Sequence, residues 1–366
     1  MSDKITILCA GPGLGFYVPG IVMQRQMKEL GIQAETYVFE ECLIDSKKAN
    51  FRKTKENFHR NFSFALMGQK LAKDPSASIN PAKMDTLINK WLEEGCNKFI
   101  VLSGFWLPVI NQFLIYSGGD ANVDLCHVDA DYSSSWGLFD TSSDIYTEIW
   151  FNHWESRKIN FYLNIDRKTP VPFNERGSEC MLHGGGWGMG TYKFKKEELN
   201  NNGLKLNIIA YESKDLVQDD TINNYFMMDP EWDTWDTNPY GEHLFPPLQP
   251  VNNKNVELSK LLYKNEGQYP SLYNLIKYCK AIISKPGAGT LLDSISSATP
   301  LIILEPFGEY ENKNGMLWKE YGMGISFDDW AASGFSENVL EKLHQNILKI
   351  RSETDNYVTS YIKRFF

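Results

Sequence analysis

The sequence lacks a long apolar run, paired cysteines and any excess of positive charge. No stretch of about 18 consecutive apolar residues occurs, so the sequence predicts no membrane-spanning helix. Contact with a membrane surface stays open. The six cysteines form neither a CxxC pair nor a metal-type cluster, so we expect a reduced, cytoplasmic protein. The net charge of −9 argues against nucleic acid as a partner, because phosphate backbones are bound by clustered Lys and Arg.

The length and the pattern of apolar residues predict two domains. The 366 residues exceed what one hydrophobic core usually serves, and a hydrophobic content of 42% is sufficient for two cores. In the first half, apolar runs alternate with helix-like segments, as in a doubly wound parallel sheet. Strands are predicted at residues 5–9, 35–39, 99–102 and 123–128, and helices at residues 22–30 and 81–94.

A second alternation follows a polar, proline-containing stretch at residues 164–172, which suits an interdomain linker. We predict an α/β protein with two Rossmann-like, doubly wound domains facing each other across a cleft. The domains are predicted at residues 1–170 and 171–345, with a C-terminal helix at residues 346–366 that can pack back on the N-terminal domain. The second set of strands is predicted at residues 179–183, 205–211, 281–284 and 301–305, and its helices at residues 272–280, 290–297 and 337–366.

Two glycine-rich segments follow predicted strands in the second half. The GGGWGMG segment at residues 184–190 implies a backbone that approaches another group closely or adopts positive φ. The SKPGAGT segment at residues 284–290 joins a strand to a helix, whose first amides have no internal partners and can bind a diphosphate. Neither is a Walker A motif. Each alone could be a tight turn, but together they predict a nucleotide site at the crevice of the sheet.

These two segments resemble elements of a known enzyme family. Residues 184–190 resemble the GGGxGMG loop of diacylglycerol glycosyltransferases of the monogalactosyldiacylglycerol synthase type, and residues 284–290 resemble their strand-KxGxGT-helix element. The resemblance covers residues 180–325 and implies the GT-B fold and a UDP-sugar donor. It implies a donor-diphosphate site at Gly186, Trp187, Gly287, Ala288, Gly289 and Thr290, and donor-sugar contacts from Glu309, Glu311 and Asn312.

The first glycine-rich loop of the chain resembles a second member of this group. GPGLGFYVPG at residues 11–20 is similar to the GGxGGHxxPG loop of the peptidoglycan N-acetylglucosaminyltransferase, which implies an acceptor-side loop at Gly13, Gly15 and Phe16. Phe16 stands where that family has a histidine. Any role of the histidine in activating the acceptor is therefore not carried over to this chain.

Sugar transfer with inversion needs a general base, and the predicted strand at residues 123–128 ends in candidates. Asp129 is the first candidate for the base, and His127 and Asp131 are the next candidates, because this strand end should face the cleft. Alternatively, His127 is structural and the aspartates cap a helix. Asp129 and Asp131 also form a DxD, the metal-binding motif of the other major glycosyltransferase fold. The glycine loops offer a metal-free way to hold the diphosphate, so neither metal nor cofactor is required.

Together these features predict an inverting glycosyltransferase that moves a sugar from a UDP-sugar to an acceptor. The acceptor stays open among a small molecule, a peptide and a lipid, and the oligomeric state stays open as well. One alternative is a nucleotide-sugar 2-epimerase of the same fold, which would need further carboxylates beside the hexose. Another is a non-catalytic nucleotide-sugar sensor, which Phe16 in place of the histidine would allow. The basic residues between 47 and 60 are interpreted as a solvated face, and the acidic, aromatic stretch at residues 225–236 as core or domain interface.

Overall fold

The computed structural model describes residues 4–70, 74–217, 220–251 and 268–366. In these ranges strands and helices alternate along the chain, and most strands belong to a five-stranded or a seven-stranded sheet. The predicted α/β class is thereby confirmed. None of the helices in these ranges is long and apolar enough to cross a membrane.

The first sheet is built by the chain up to Trp150. Its elements are β1 (Ile5–Cys9), α1 (Tyr17–Glu29), β2 (Ala34–Val38), α2 (Asp45–Arg60), α3 (Phe62–Lys70), α4 (Pro81–Glu93), β3 (Lys98–Val101), α5 (Leu107–Ser117), β4 (Asn122–His127) and β5 (Tyr146–Trp150). The strands are parallel and lie in the order β2-β1-β3-β4-β5. β1 has the sequence ITILC and is buried at every position, as is typical of an inner strand of a parallel sheet.

The second sheet follows three short strands, β6 (Asn152–His153), β7 (Lys158–Ile159) and β8 (Phe161–Tyr162). Its order is β12-β11-β10-β9-β13-β14-β15, and only β12 runs antiparallel to its neighbour. The chain moves outward from β9 to β12 and then returns to β13, directly beside β9. The boundary between β9 and β13 is therefore the switch point where such sheets bind ligands. The elements are β9 (Cys180–Leu182), α6 (Lys196–Asn201), β10 (Leu206–Ala210), β11 (Asn224–Met228), β12 (Leu248–Val251), α7 (Ser271–Ile276), β13 (Ile282–Ser284), α8 (Ala288–Ser297), β14 (Leu301–Ile303), α9 (Glu309–Glu320), β15 (Gly324–Ser326), α10 (Phe327–Ala332) and α11 (Glu337–Glu353).

The chain returns to the first domain at its C-terminus. After α11, β16 (Asp355–Asn356) pairs in parallel with β8, and α12 (Tyr357–Phe365) contacts α1. Tyr357 Oη donates to Asp124 Oδ2 on β4 at 3.2 Å, and Arg364 forms an ion pair with the same buried carboxylate. The last helix of the chain is thus part of the first domain.

Helices α2 and α3 of the first domain pack against the second domain. Phe51 on α2 contacts Trp187 of the second domain edge to face, with ring centroids 5.1 Å apart. Each aromatic or aliphatic side chain buried here stabilises the packing by about 1.5–3 kcal/mol. The interdomain aromatic cluster so formed consists of Ala65, Trp187, Met189 and Phe307, with Phe51, Phe58, Phe62, Leu66 and Tyr310 packed against it.

Three local expectations from the sequence are corrected by the structure. The basic stretch between residues 47 and 60 forms α2, whose phenylalanines face the second domain, so it is not only a solvated face. The helix predicted from residue 22 begins at Tyr17, because a proline is tolerated in the first turn and Pro19 lies there. The helical pattern at residues 337–366 is interrupted at Thr354, whose backbone is extended.

The acidic, aromatic stretch at residues 225–236 lies where the sequence predicts, in core and interface. Its first residues form most of β11, in which Tyr225 and Met227 are buried. Trp232 is also buried and contacts Tyr17 of the first domain edge to face, with ring centroids 5.6 Å apart. This stretch therefore helps to hold the two domains together.

Replacing Arg364 by Ala is expected to lower the free energy of unfolding by about 1–3 kcal/mol, because buried Asp124 loses its charged partner. Urea denaturation followed by tryptophan fluorescence measures the change. Lys28→Ala is the control, since the ion pair of Lys28 with Glu242 is exposed on both sides and such pairs contribute about 0–1 kcal/mol. Equal losses of free energy of unfolding in the two variants would contradict a stabilising role for the ion pair between Arg364 and Asp124.

Candidate active site

A cavity of about 310 Å³ lies between the two domains, in the size range of small-molecule sites. Residues that follow β1 and β4 line it from the first domain, and residues that follow β9 and β13 line it from the second. Helices α2 and α3 close one side with Thr54, Phe58 and Gln69. The carboxyl-terminal ends of both parallel sheets therefore open onto one shared site.

The glycine loop at residues 184–190 follows β9 and contacts the first domain. A Cβ on Gly186 would overlap the carbonyl oxygen of Gly13 and the side chain of Leu14. Gly188 has φ of 63°, and a Cβ there would overlap the ring of Tyr211. At Gly186 glycine is required because the backbones of the two domains approach each other, and at Gly188 it is required by the positive φ and by the ring of Tyr211 in the same domain.

The start of α8 is capped by the first domain. Gly287 is the N-cap of α8 and offers no side chain, and the backbone amide of Ala288 donates to the carboxylate of Asp129 instead. A Cβ on Gly15 would lie 3.4 Å from Ala288 Cβ and 3.5 Å from the amide nitrogen of Gly289. The positive end of α8 therefore faces the acceptor-side loop and a carboxylate across the domain boundary.

Asp129 is buried in a network of hydrogen bonds. Asn314 Nδ2 donates to Asp129 Oδ1 at 2.7 Å and to the carbonyl of Pro286 at 2.9 Å, while Asn314 Oδ1 accepts from the amide of Ala130 at 2.6 Å. Burial raises the pKa of Asp129 to about 7, although the bond from Asn314 and the charge of Lys285 act in the opposite direction. A carboxylate with such a pKa exchanges protons near neutral pH, as a general base requires.

Lys285 and Glu311 form a buried ion pair in the same wall. Glu311 Oε1 accepts from Lys285 Nζ, and Glu311 Oε2 accepts from the amide of Phe307 at 2.7 Å. Among the described residues that line the cavity, Lys285 is the one lysine or arginine. An anion bound in the cavity would share this ammonium with Glu311.

Two further ionisable groups line the cavity: His183, which directly precedes the glycine loop at residues 184–190, and Asp293 on α8. Burial lowers the pKa of His183 to about 3, helped by the charge of Lys285, so the imidazole is neutral at ordinary pH. Burial raises the pKa of Asp293 to about 8. The sequence pattern alone indicated no role for His183, Lys285 or Asp293. Lys285 lies within the SKPGAGT segment and His183 directly precedes the GGGWGMG segment, so these two positions carried a signal.

The structure separates the sequence-predicted residues into two sets. Those that line the cavity are Gly13, Gly15, Phe16, Asp129, Gly186, Trp187, Gly287, Ala288, Gly289, Thr290 and Glu311. His127, Asp131, Glu309 and Asn312 do not line it. His127 stacks on Trp150 with ring centroids 4.1 Å apart, and Asn312 Nδ2 donates to Glu309 Oε2 at 3.3 Å on the exposed side of α9.

The two aspartates of the formal DxD have different partners. Asp131 forms an ion pair with Lys313, whereas Asp129 accepts from Asn314 and Ala288. In the part of the chain that the structure describes, one other group of side chains is close enough together to hold a metal ion. It consists of His59, Glu212 and Asp215. Lys193 Nζ lies 2.9 Å from His59 Nε2 and pairs with Asp215, so an ammonium already supplies positive charge there.

Solved glycosyltransferase structures match the chain over its full length. VinC in complex with dTDP has a TM-score of 0.52 at 10% identity, over 99% of this chain and 98% of that one. SsfS6 from Streptomyces sp. SF2575, complexed with thymidine diphosphate, has a TM-score of 0.51 at 10% identity over 99% of both chains. SnogD from Streptomyces nogalater has a TM-score of 0.50 at 11% identity, over 99% of this chain and 98% of that one. No protein-family model and no curated protein matches the sequence. The predicted GT-B fold is confirmed.

The raised pKa of Asp129 predicts a pH-dependent stability. Because the folded-state pKa of about 7 lies above the ordinary value of 3.8, the stability that Asp129 contributes is present below about pH 4 and is lost as the pH rises to about 7. Asp129→Asn carries no charge, so its free energy of unfolding should rise relative to the wild type by up to about 4 kcal/mol between pH 4 and pH 8.

Urea denaturation at a series of pH values measures this difference. Asp131→Asn is the matched control, since Asp131 is partly exposed and paired with Lys313 on the rim. A difference curve for Asp129→Asn as flat as that of the control would show that Asp129 is ionised throughout.

Proposed function

We propose that this protein is a glycosyltransferase that moves a sugar from a nucleoside-diphosphate-sugar to a hydroxyl-bearing acceptor, with inversion at the anomeric carbon. The observation that carries the proposal is the convergence of two glycine loops, Lys285 and the start of α8 on one cavity at the switch point of the second sheet. The GT-B fold supports it, as do the thymidine diphosphate complexes of VinC and SsfS6.

The start of α8 and Lys285 stabilise the negative charge of the departing diphosphate. Gly287 gives α8 no side-chain cap, so amides of its first turn other than that of Ala288, which donates to Asp129, can bind an anion. The positive end of the helix dipole is worth about 0.3–2 kcal/mol for a favourably placed anion. Gly287 and Gly289 leave the backbone open to approach by an anion. Lys285, which pairs with Glu311, adds a cationic side chain to a buried wall, where fixed charges stabilise developing negative charge most effectively.

Asp129 is the proposed general base. In the transfer step the acceptor oxygen attacks the anomeric carbon, its proton passes to Asp129, and the bond between that carbon and the diphosphate oxygen breaks. Because Asp129 accepts from the first amide of α8, the base lies beside the proposed site of the leaving group. Phe16 lines the cavity but cannot take a proton, so the histidine role known from the related loop has to be filled by another residue.

The wall from the first domain supports an acceptor with an apolar body. Phe16, Val18, Val22, Phe58 and Phe105 line this part of the cavity. None of them can pair with an anionic group, and aromatic rings pack well on flat or aliphatic groups. An aromatic or lipid alcohol therefore suits the site better than an anionic acceptor.

A 2-epimerase is the second candidate, and the carboxyl groups in the cavity favour it. The sequence alone offered no set of carboxylates beside a hexose, but Asp129, Asp293 and Glu311 all line the cavity. Epimerisation would convert a nucleotide-sugar without an acceptor and without release of nucleotide. This difference in products separates the two functions.

A panel of UDP- and dTDP-sugars, scored for nucleoside diphosphate release and for isomerised donor, tests both functions. We expect slow release with water as acceptor and faster release with apolar alcohols. Asp129→Asn should keep the affinity for UDP and dTDP within about threefold and lower turnover by about 10²–10⁴, the usual contribution of a general base. Full turnover in this variant would remove Asp129 from the mechanism, and isomerised donor without release would favour the epimerase.

Replacing Gly287 by Val should weaken UDP and dTDP binding about tenfold or more, measured by calorimetry. The added Cβ would lie 2.9 Å from Glu311 Oε1 and 3.0 Å from Lys285 Nζ, in the space through which a phosphate reaches α8. Gly137→Val is the matched control, since a Cβ there meets nothing within 4 Å and Gly137 does not line the cavity. Unchanged affinity in Gly287→Val would refute the diphosphate site.

A further inference from the structure

His183 occupies the end of the second sheet where the two glycine loops meet. It follows β9 directly, and its backbone amide donates to the carbonyl of Ile283 on neighbouring β13 at 3.3 Å. Its side chain is 1% exposed and belongs to a residue that lines the cavity. Lys285 lies close enough to influence it electrostatically.

The tautomer of His183 follows from its one hydrogen bond. The backbone amide of Gly185 donates to His183 Nδ1 at 3.0 Å, so Nδ1 is the acceptor. In a neutral imidazole the other nitrogen then carries the proton. The low pKa, caused by burial and by Lys285, keeps the ring neutral at ordinary pH. His183 therefore presents an Nε2–H group.

This Nε2–H has no acceptor among the described residues, although it is fully buried. A buried donor without a partner costs about 1–3 kcal/mol, and native structures contain few of them. The nearby cation does not satisfy it, because Lys285 is itself a donor and its acceptor is Glu311. A ligand oxygen that accepts from both His183 and Lys285 would satisfy the orphaned donor.

We propose that His183 Nε2–H donates to an oxygen of the donor's diphosphate, which Lys285 binds at the same time. The inference rests on the proposed function and extends it to a ligand-binding side chain outside the two glycine backbones. Nε2 is covered in this structure, so ligand binding requires a group near it to move. Lys285 acts electrostatically on the ring and has four rotatable side-chain bonds, and it is the group that we propose moves. Lys285 turning from Glu311 toward the diphosphate brings the shared oxygen to both donors.

Two substitutions separate the two nitrogens of His183. His183→Asn places an oxygen where Nδ1 lies, so it can still accept from Gly185, but it has no donor at the ε position. His183→Gln reaches the ε position with an amide donor but loses the acceptor for Gly185. We expect His183→Asn to bind UDP and inorganic pyrophosphate about ten- to a hundredfold more weakly than the wild type, and His183→Gln to bind within about threefold.

The opposite pattern, with His183→Asn normal and His183→Gln weak, would overturn the inference and leave His183 as a support of the loop. Normal binding in both variants overturns it as well. A loss confined to UDP-glucose and absent with UDP would place the contact on a sugar hydroxyl and also overturn it. The affinities of the wild type and of both variants are measured at the same pH.

A measurement on the wild type keeps the inference testable if both variants fail to fold or to bind. The Nε2–H proton of His183 should give a nitrogen-coupled NMR signal that shifts downfield when pyrophosphate is added, and an unmoved signal at saturation overturns the inference. Wild-type protein that binds pyrophosphate but neither UDP nor dTDP would refute the proposed function alone. Binding of UDP with an unmoved signal would refute the His183 inference alone, and binding of none of the three would refute both.

Discussion

The close approach of two backbones across the domain boundary is the constraint on which the rest of the structure depends. Gly186 and Gly13 touch where no Cβ can be placed, and Gly15 lies against the first residues of α8. This contact brings the carboxyl ends of both sheets to one cavity. It also lets Asp129, from the first domain, accept a hydrogen bond from the helix of the second. Side chains at these glycines would separate the base from the proposed diphosphate site.

The cavity carries less negative charge than the sequence implies. The protein has a net charge of −9 and places three carboxyl groups in the cavity wall, which would repel a diphosphate if all were ionised. Burial raises the pKa of Asp129 to about 7 and that of Asp293 to about 8, and Glu311 is paired with Lys285. An anion at the start of α8 then meets less repulsion from the wall, although the amide of Ala288 already donates to Asp129. Burial, and not an excess of basic residues, makes the site compatible with phosphate.

The sequence predicted the parts of the fold that depend on local pattern. Apolar runs located most strands of both sheets, and the glycine segments located the loops after β9 and β13. Asp129 and His127 could not be distinguished in this way. Alternate residues share a face only while a strand continues, and β4 ends at His127, after which the chain turns and sends the two side chains to different surroundings. His127 stacks on Trp150, and Asp129 enters the cavity wall.

Other features depend on contacts that no local pattern contains. The orphaned donor of His183 depends on Gly185 and on a neighbouring strand about one hundred residues further along the chain. The packing of α2 depends on Trp187 in the other domain, and α2 by itself is a polar, basic segment. Tertiary contact decided these elements, and sequence periodicity could not.

The return of α12 to the first domain has a consequence for how this fold can be divided. Asp124 on β4 accepts from Tyr357 and pairs with Arg364, both from the end of the chain. The first domain is therefore discontinuous in sequence, and a gene fragment that stops at the linker omits one of its helices. Exchange of first domains between relatives by recombination requires two crossover points, one in the linker and one between α11 and α12.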